Sequence, residues 1–169
     1  MRVYVAGIPL LALMLGVAFQ AGAAETSGAQ DGGYGASLSR IYLAHQKVLA
    51  LRDACAKAFP AQEKAGEKAY ATWQARHRAL LNELDARVAM MIRGSSRDEK
   101  EYMRNIGKYE GSILEYRNGE RDDLLAQPRE GMEQGCADFR NYLIGSGSDF
   151  NREYADELRV LRQRKLPKR

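Results

Sequence analysis

The sequence predicts an all-α fold: an elongated antiparallel bundle of about five helices, two of them long, closed by one disulfide. Three observations carry this reading. Between Ala61 and Arg93, the residues Tyr70, Trp73, His77, Leu80, Leu84, Val88 and Met91 recur at steps of three and four, which places them on one stripe of a helix. No segment between turn signals alternates as a strand does. Cys55 and Cys136 are the only two cysteines, and an even count behind a secretion signal reads as a bridge.

The chain opens with a basic Arg2, an apolar run from Val3 to Phe19, and the small residues Ala21-Gly22-Ala23. This is the three-part pattern of a secretory signal. It predicts a signal peptide over 1–23, cleavage near Ala23/Ala24, and a periplasmic or secreted mature protein. The run of about 17 residues is short against the ~20 of a spanning helix. The first Cys lies far from the cleavage site, which argues against a bacterial lipoprotein. The mature part is about 145 residues long, the size of one domain. Residues 24–36 are rich in Gly, Ser and Ala and read as a flexible leader, with Tyr34 as the one residue able to pin it. The bundle domain spans 37–166, and 167–169 end a basic tail.

The first helix is expected from about Leu38 to Ala58. Ile41, Ala44, Val48, Leu51, Cys55 and Ala58 repeat as a heptad seam, and Phe59-Pro60 stops it. The second is the Ala61–Arg93 rod. Roughly 33 residues at 1.5 Å each give roughly 50 Å, ended by Gly94. Ser96-Arg97-Asp98-Glu99 reads as a capping box that starts a third helix, with Tyr102, Ile106, Tyr109, Ile113 and Tyr116 as its stripe. Asn118-Gly119 could break that helix; otherwise it runs to about Ala126, before Pro128. A fourth is expected over Arg129–Ile144, with Met132, Cys136, Phe139 and Leu143 on one face. After Gly145-Ser146-Gly147, Ser148 is expected to cap a fifth helix with Phe150, Tyr154, Leu158 and Leu161 on its stripe.

The sequence says more about missing chemistry than about present chemistry. Its two histidines, His45 and His77, have no second ligand at helical spacing, so no metal site and no cofactor are expected. Haem-attachment, nucleophile-elbow and phosphate-loop motifs are absent, and no catalytic residue is proposed. His77, between Trp73 and Leu80, reads as a hydrogen-bonded core histidine. Glu120, Asp122 and Asp123 form the densest acidic cluster but lack the order of a calcium loop. A formal charge of +4 is too mild to argue for nucleic acid.

Two features point to binding. Tyr102, Tyr109 and Tyr116 stand seven apart on one helix line, where they would form either a bundle seam or a binding groove. From Arg159 onward the chain carries six basic residues, among them Arg162, Arg164 and Lys165, and no acid. Such a tail suits an acidic protein partner or an anionic membrane surface. No motif specific to a family is present: the paired L-T-x-x-Q of small envelope-stress chaperones, for example, is absent. The expected function is a non-enzymatic, exported helical binding protein, of immunity or inhibitor type, with one protein partner. A periplasmic holdase chaperone or envelope structural protein is the alternative.

Overall fold

The computed structural model describes residues 26–166, and the side chains of residues 33–166 apart from Ser146. The expected secretion signal, its expected cleavage site and the last three residues lie outside the described residues. Within them the chain is all-α, with six helices and no strand. These are α1 (Thr26–Ala58), α2 (Glu63–Gly94), α3 (Glu99–Leu125), α4 (Arg129–Ile144), α5 (Phe150–Glu153) and α6 (Ala155–Arg162). A 3-10 turn over Pro60–Gln62 joins α1 to α2.

The two longest helices, α1 and α2, pack antiparallel, and α3 returns upward beside α1. Tyr42 meets Tyr109, and Asp53 pairs with Arg117, so α1 and α3 run in the same direction. The descending fourth rod is broken: α4 packs on α2 and α1, and α6 continues down α1. Because α1 touches α2, α3, α4 and α6, it is covered on most sides. Its buried residues, including Leu38, Ile41, Val48, Ala50 and Ala54, therefore spread well beyond the expected heptad seam.

Several expected boundaries move, each for a local reason. The first helix begins at Thr26 rather than Leu38. Tyr34, placed in the leader by composition, is only 4 % exposed: its ring sits under the Arg164 guanidinium, 4.8 Å away. The capping box shifts by two residues. Asp98 is the true cap of α3, accepting from the Glu101 amide at 2.8 Å, while Glu101 reaches back to the Arg97 amide at 2.9 Å. The Ser96 hydroxyl instead donates to Ile92 O at the end of α2. Asn118-Gly119 does not break α3. The fifth helix is split at Tyr154 and capped by Asp149, which accepts from the Asn151 amide. Met91 turns outward and Ile92 takes its place inside.

Cys55 and Cys136 are bridged, with Cα atoms 5.6 Å apart and a sequence separation of 81. The bond ties α1 to α4 beside Ala54, Phe59 and Met132. Closing so long a loop is worth about 4–5 kcal/mol at most on the chain-entropy model. Cys55→Ser should therefore cost a few kcal/mol in oxidising buffer and little in reducing buffer, read by urea melts of both forms.

Candidate binding groove

The expected tyrosine row lies in the seam between α3 and the rest of the bundle. Tyr102, Ile106 and Tyr109 pack against the main core. Arg93 covers the Tyr102 ring at 3.5 Å, and Tyr109 meets Tyr42 at 5.8 Å. Burial, with the neighbouring Tyr42 and Asp85, raises the Tyr109 phenol well above its ordinary value. Burial and a hydrogen bond with Glu120 push Tyr116 up to about 12. All three are half-buried, and α3 contributes no fully buried residue to the core.

The basic tail is folded back rather than free as far as Lys165. Arg87 of α2, 3 % exposed, is its anchor. Its guanidinium donates to Leu161 O at 2.7 Å and Arg164 O at 3.0 Å, taking carbonyls left open at the end of α6. It also grips Glu83 through two hydrogen bonds, at 2.9 and 2.7 Å. Arg162 pairs with the same Glu83 at 2.9 Å. Burial alone would raise the Glu83 carboxyl. The hydrogen bonds and charges of Arg162 and Arg87 outweigh it and hold the group below the usual carboxylate range.

A different face of the bundle carries an open groove of about 420 Å³ across α1. From α1 it takes Ala44, Lys47, Val48 and Leu51; from α4 it takes Gly135, Asp138, Phe139 and Tyr142. Both sets follow the spacing i, i+3, i+4, i+7, so each helix turns one face into the groove. Phe150 and Tyr154 close one end. Val48, Phe139 and Phe150 are buried and form an apolar floor. The charged lining side chains are Lys47 and Asp138, both at the exposed rim. Gly135 keeps the α4 wall open, since a Cβ built there would meet nothing within 4 Å.

Three residues of α2 hold the groove's closed end in place. The break between α4 and α5 frees backbone groups that need partners. Trp73 Nε1 donates to Ser148 O at 3.0 Å. Arg76 donates to Leu143 O at 2.9 Å and to the Ser148 hydroxyl at 2.7 Å. The Phe150 amide donates to His77 Nε2 at 3.2 Å. That fixes the tautomer: Nε2 accepts, so Nδ1 carries the hydrogen and gives it to Trp73 O at 2.8 Å. Phe150 then stands edge-on to the Trp73 ring, 5.0 Å away. His77 is thus the hydrogen-bonded core histidine the stripe suggests. Ser148, expected to cap, is instead fully buried within this clamp.

His45 stacks on Trp73 with ring centres 5.9 Å apart, and its Nε2 has no hydrogen-bond partner among the described residues. Burial, then the charges of Arg52 and Arg117 and the neighbouring His77, lower its pKa to about 4. A histidine depressed on folding favours the fold above its unfolded value of 6.5 and stops doing so as pH falls toward 4. Stability should drop by about 3 kcal/mol over that window, and His45→Asn should remove that part of the slope in urea melts run from about pH 7 to about pH 4.

The sequence analysis gives no role to Arg76, Arg87, Gly135 or Tyr142. A signal for Arg87 existed: it stands seven residues after Leu80 and three after Leu84, at a core register of α2. Gly135 and Tyr142 gave none, because the groove depends on how α4 lies across α1. Among the described residues, no three His, Cys, Asp or Glu side chains are placed to hold a metal ion, and no helix is long and apolar enough to cross a membrane. No protein-family model, curated protein or solved structure matches this chain.

Proposed function

We propose that this chain is an exported, non-enzymatic binding protein that holds one protein partner, in the manner of an immunity or inhibitor protein. The observation that carries the reading is the groove across α1. Its floor is apolar, Tyr142 and Tyr154 flank it, and its charged groups stand at the rim rather than converging on a reacting centre. Such a surface suits an amphipathic helix or an apolar anchor of a partner. The phenols of Tyr142 and Tyr154 and the rim charges would set its register. Tyr102, Tyr109, Tyr116, Arg162, Arg164 and Lys165 lie outside the groove and enter as peripheral contacts. The disulfide supports an oxidising compartment, in keeping with the secretion signal.

The test is capture from the chain's own host, cross-linked lightly and read by mass spectrometry, with Gly135→Leu alongside. A Cβ at 135 meets open space, and leucine is a better helix former than glycine by roughly 1 kcal/mol. The variant should be at least as stable as the wild type, yet fill the groove. One stoichiometric partner, lost in Gly135→Leu, is the expected result. Capture of one partner unchanged by the variant would rule out the groove as its binding face.

The second reading, a holdase, is favoured by a specific observation. Met103 and Leu114 on α3 are 59 % and 51 % exposed, a loose apolar scatter of the kind many weak clients could use. It calls for a broad set of unfolded and outer-membrane proteins in the same capture.

A further inference from the structure

The helix α3 meets the bundle along one side only. Tyr102, Ile106 and Tyr109 pack on the core. The opposite side carries Met103, Gly107, Gly111 and Leu114 at steps of four, four and three, which is one line of a helix. Met103 and Leu114 are both exposed. A Cβ at Gly107 or Gly111 would meet nothing within 4 Å. No neighbour in the described chain therefore requires either glycine, although glycine weakens a helix interior.

The charges beside this line are ordered. Lys100, Arg104 and Lys108 stand in the first half of α3, and Glu115, Asp122 and Asp123 in the second. Arg104, Lys108, Glu115 and Asp122 follow one edge of the line at steps of four, seven and seven. The acids of the first turn, Glu99 and Glu101, are taken by Arg93 and Arg97. Arg104 also touches Glu101 of its own helix at 3.3 Å, and Asp122 touches Arg121. Lys100, Lys108 and Glu115 are exposed and have no ion-pair partner among the described residues. The order also runs against the helix dipole. Asp122 and Asp123 close α3 with no basic residue in the last turn, where negative charge is disfavoured.

We propose that the outer face of α3 pairs with the same face of a second copy of this chain, the two helices antiparallel about a twofold axis near Tyr109. That orientation lays the basic half of each copy on the acidic half of the other, whereas a parallel pair would set like charges together. With Gly107 opposite the second copy's Gly111, Met103 falls beside Leu114, and Glu115 falls between Lys100 and Arg104. The glycines let the two axes come close. A helix of 27 residues is about 40 Å long, and one helix pair is a small interface, so the dimer is weak and reversible. It covers the apolar side chains that the holdase reading needs exposed. No residue of α3 lines the groove across α1, so both grooves stay open, and either proposal can fail without the other.

The test is sedimentation equilibrium of the protein as exported, from micromolar to millimolar concentration. A reversible monomer–dimer equilibrium that weakens with salt is expected. Leu114→Glu changes an exposed side chain, so it should leave melting of the dilute monomer unchanged while raising the dimer dissociation constant at least about tenfold. Glu115→Lys should also weaken the dimer. Adding Arg104→Glu to it should regain part of that loss, because the two positions meet only across an antiparallel seam. Lys57→Glu, on α1, should change nothing. A monomer at every concentration, a dimer indifferent to Leu114→Glu and Glu115→Lys, or a Glu115→Lys loss that Arg104→Glu does not repair would each overturn the proposal.

Discussion

Trp73→Ala should lower the stability of the bundle by about 4–5 kcal/mol. Truncating a fully buried aromatic costs about 3–5 kcal/mol through lost transfer energy and the cavity left behind. Trp73 is 0 % exposed and also gives Ser148 O its Nε1 hydrogen bond. Removing it leaves that buried carbonyl short of a donor and takes the support from behind Phe150. The loss should therefore reach the groove as well as the core. Urea melts followed by far-ultraviolet dichroism measure it. Trp73→Phe keeps much of the volume while dropping the hydrogen bond, and should cost distinctly less, about 2 kcal/mol. Because Trp73 is the only tryptophan, its fluorescence in the wild type reports on this one site. A blue-shifted emission that moves red in a single step with the dichroic change is the expected signature. If Trp73→Ala costs under about 2 kcal/mol, the clamp does not hold the break between α4 and α5.

Arg87→Ala should cost about 3 kcal/mol, or a fall of roughly 6–12 °C in Tm for a chain of this size. The buried guanidinium satisfies two carbonyls from the end of α6 and its carboxylate partner at once. Without it, Glu83 keeps only Arg162, and both carbonyls lose a donor. Glu83 retains some solvent contact, which keeps the cost below the upper range for fully buried pairs. Arg87→Lys should recover less than half, because an ammonium cannot make the same fork of contacts. The effect also has a pH signature. A carboxyl held low in the folded state stabilises above its ordinary value, 4.5, and ceases to do so as pH falls through the lowered one. The difference between wild type and Arg87→Ala should therefore shrink below about pH 4.5.

The long elements were legible because their signals are local. The α2 stripe at steps of three and four, the Pro128 stop and the cysteine pair each needed only neighbouring residues or the cysteine count, and the structure has those helices and that disulfide. What the sequence could not show is where tertiary contacts override composition. Tyr34 sits among glycines that read as a leader, yet Arg164, far along the chain, packs on its ring. Ser96 and Ser148 both carry cap chemistry, yet a nearby aspartate takes each role because the serine is drawn to other carbonyls. The break at Tyr154 had no signal in a stripe that is otherwise continuous. The groove was hidden for a related reason: its two walls are ordinary amphipathic faces in sequence, and only the crossing of α4 over α1 leaves them facing across a gap.

The most direct measurement is hydrogen exchange on the protein alone and with the partner it captures. If the groove across α1 is the binding face, amides around Lys47–Leu51 and Gly135–Tyr142 should exchange more slowly in the complex, while those of Tyr102–Tyr116 stay unchanged. Slowing confined to Tyr102–Tyr116, with the groove segments unaffected, would contradict the account and return the binding site to the tyrosine row.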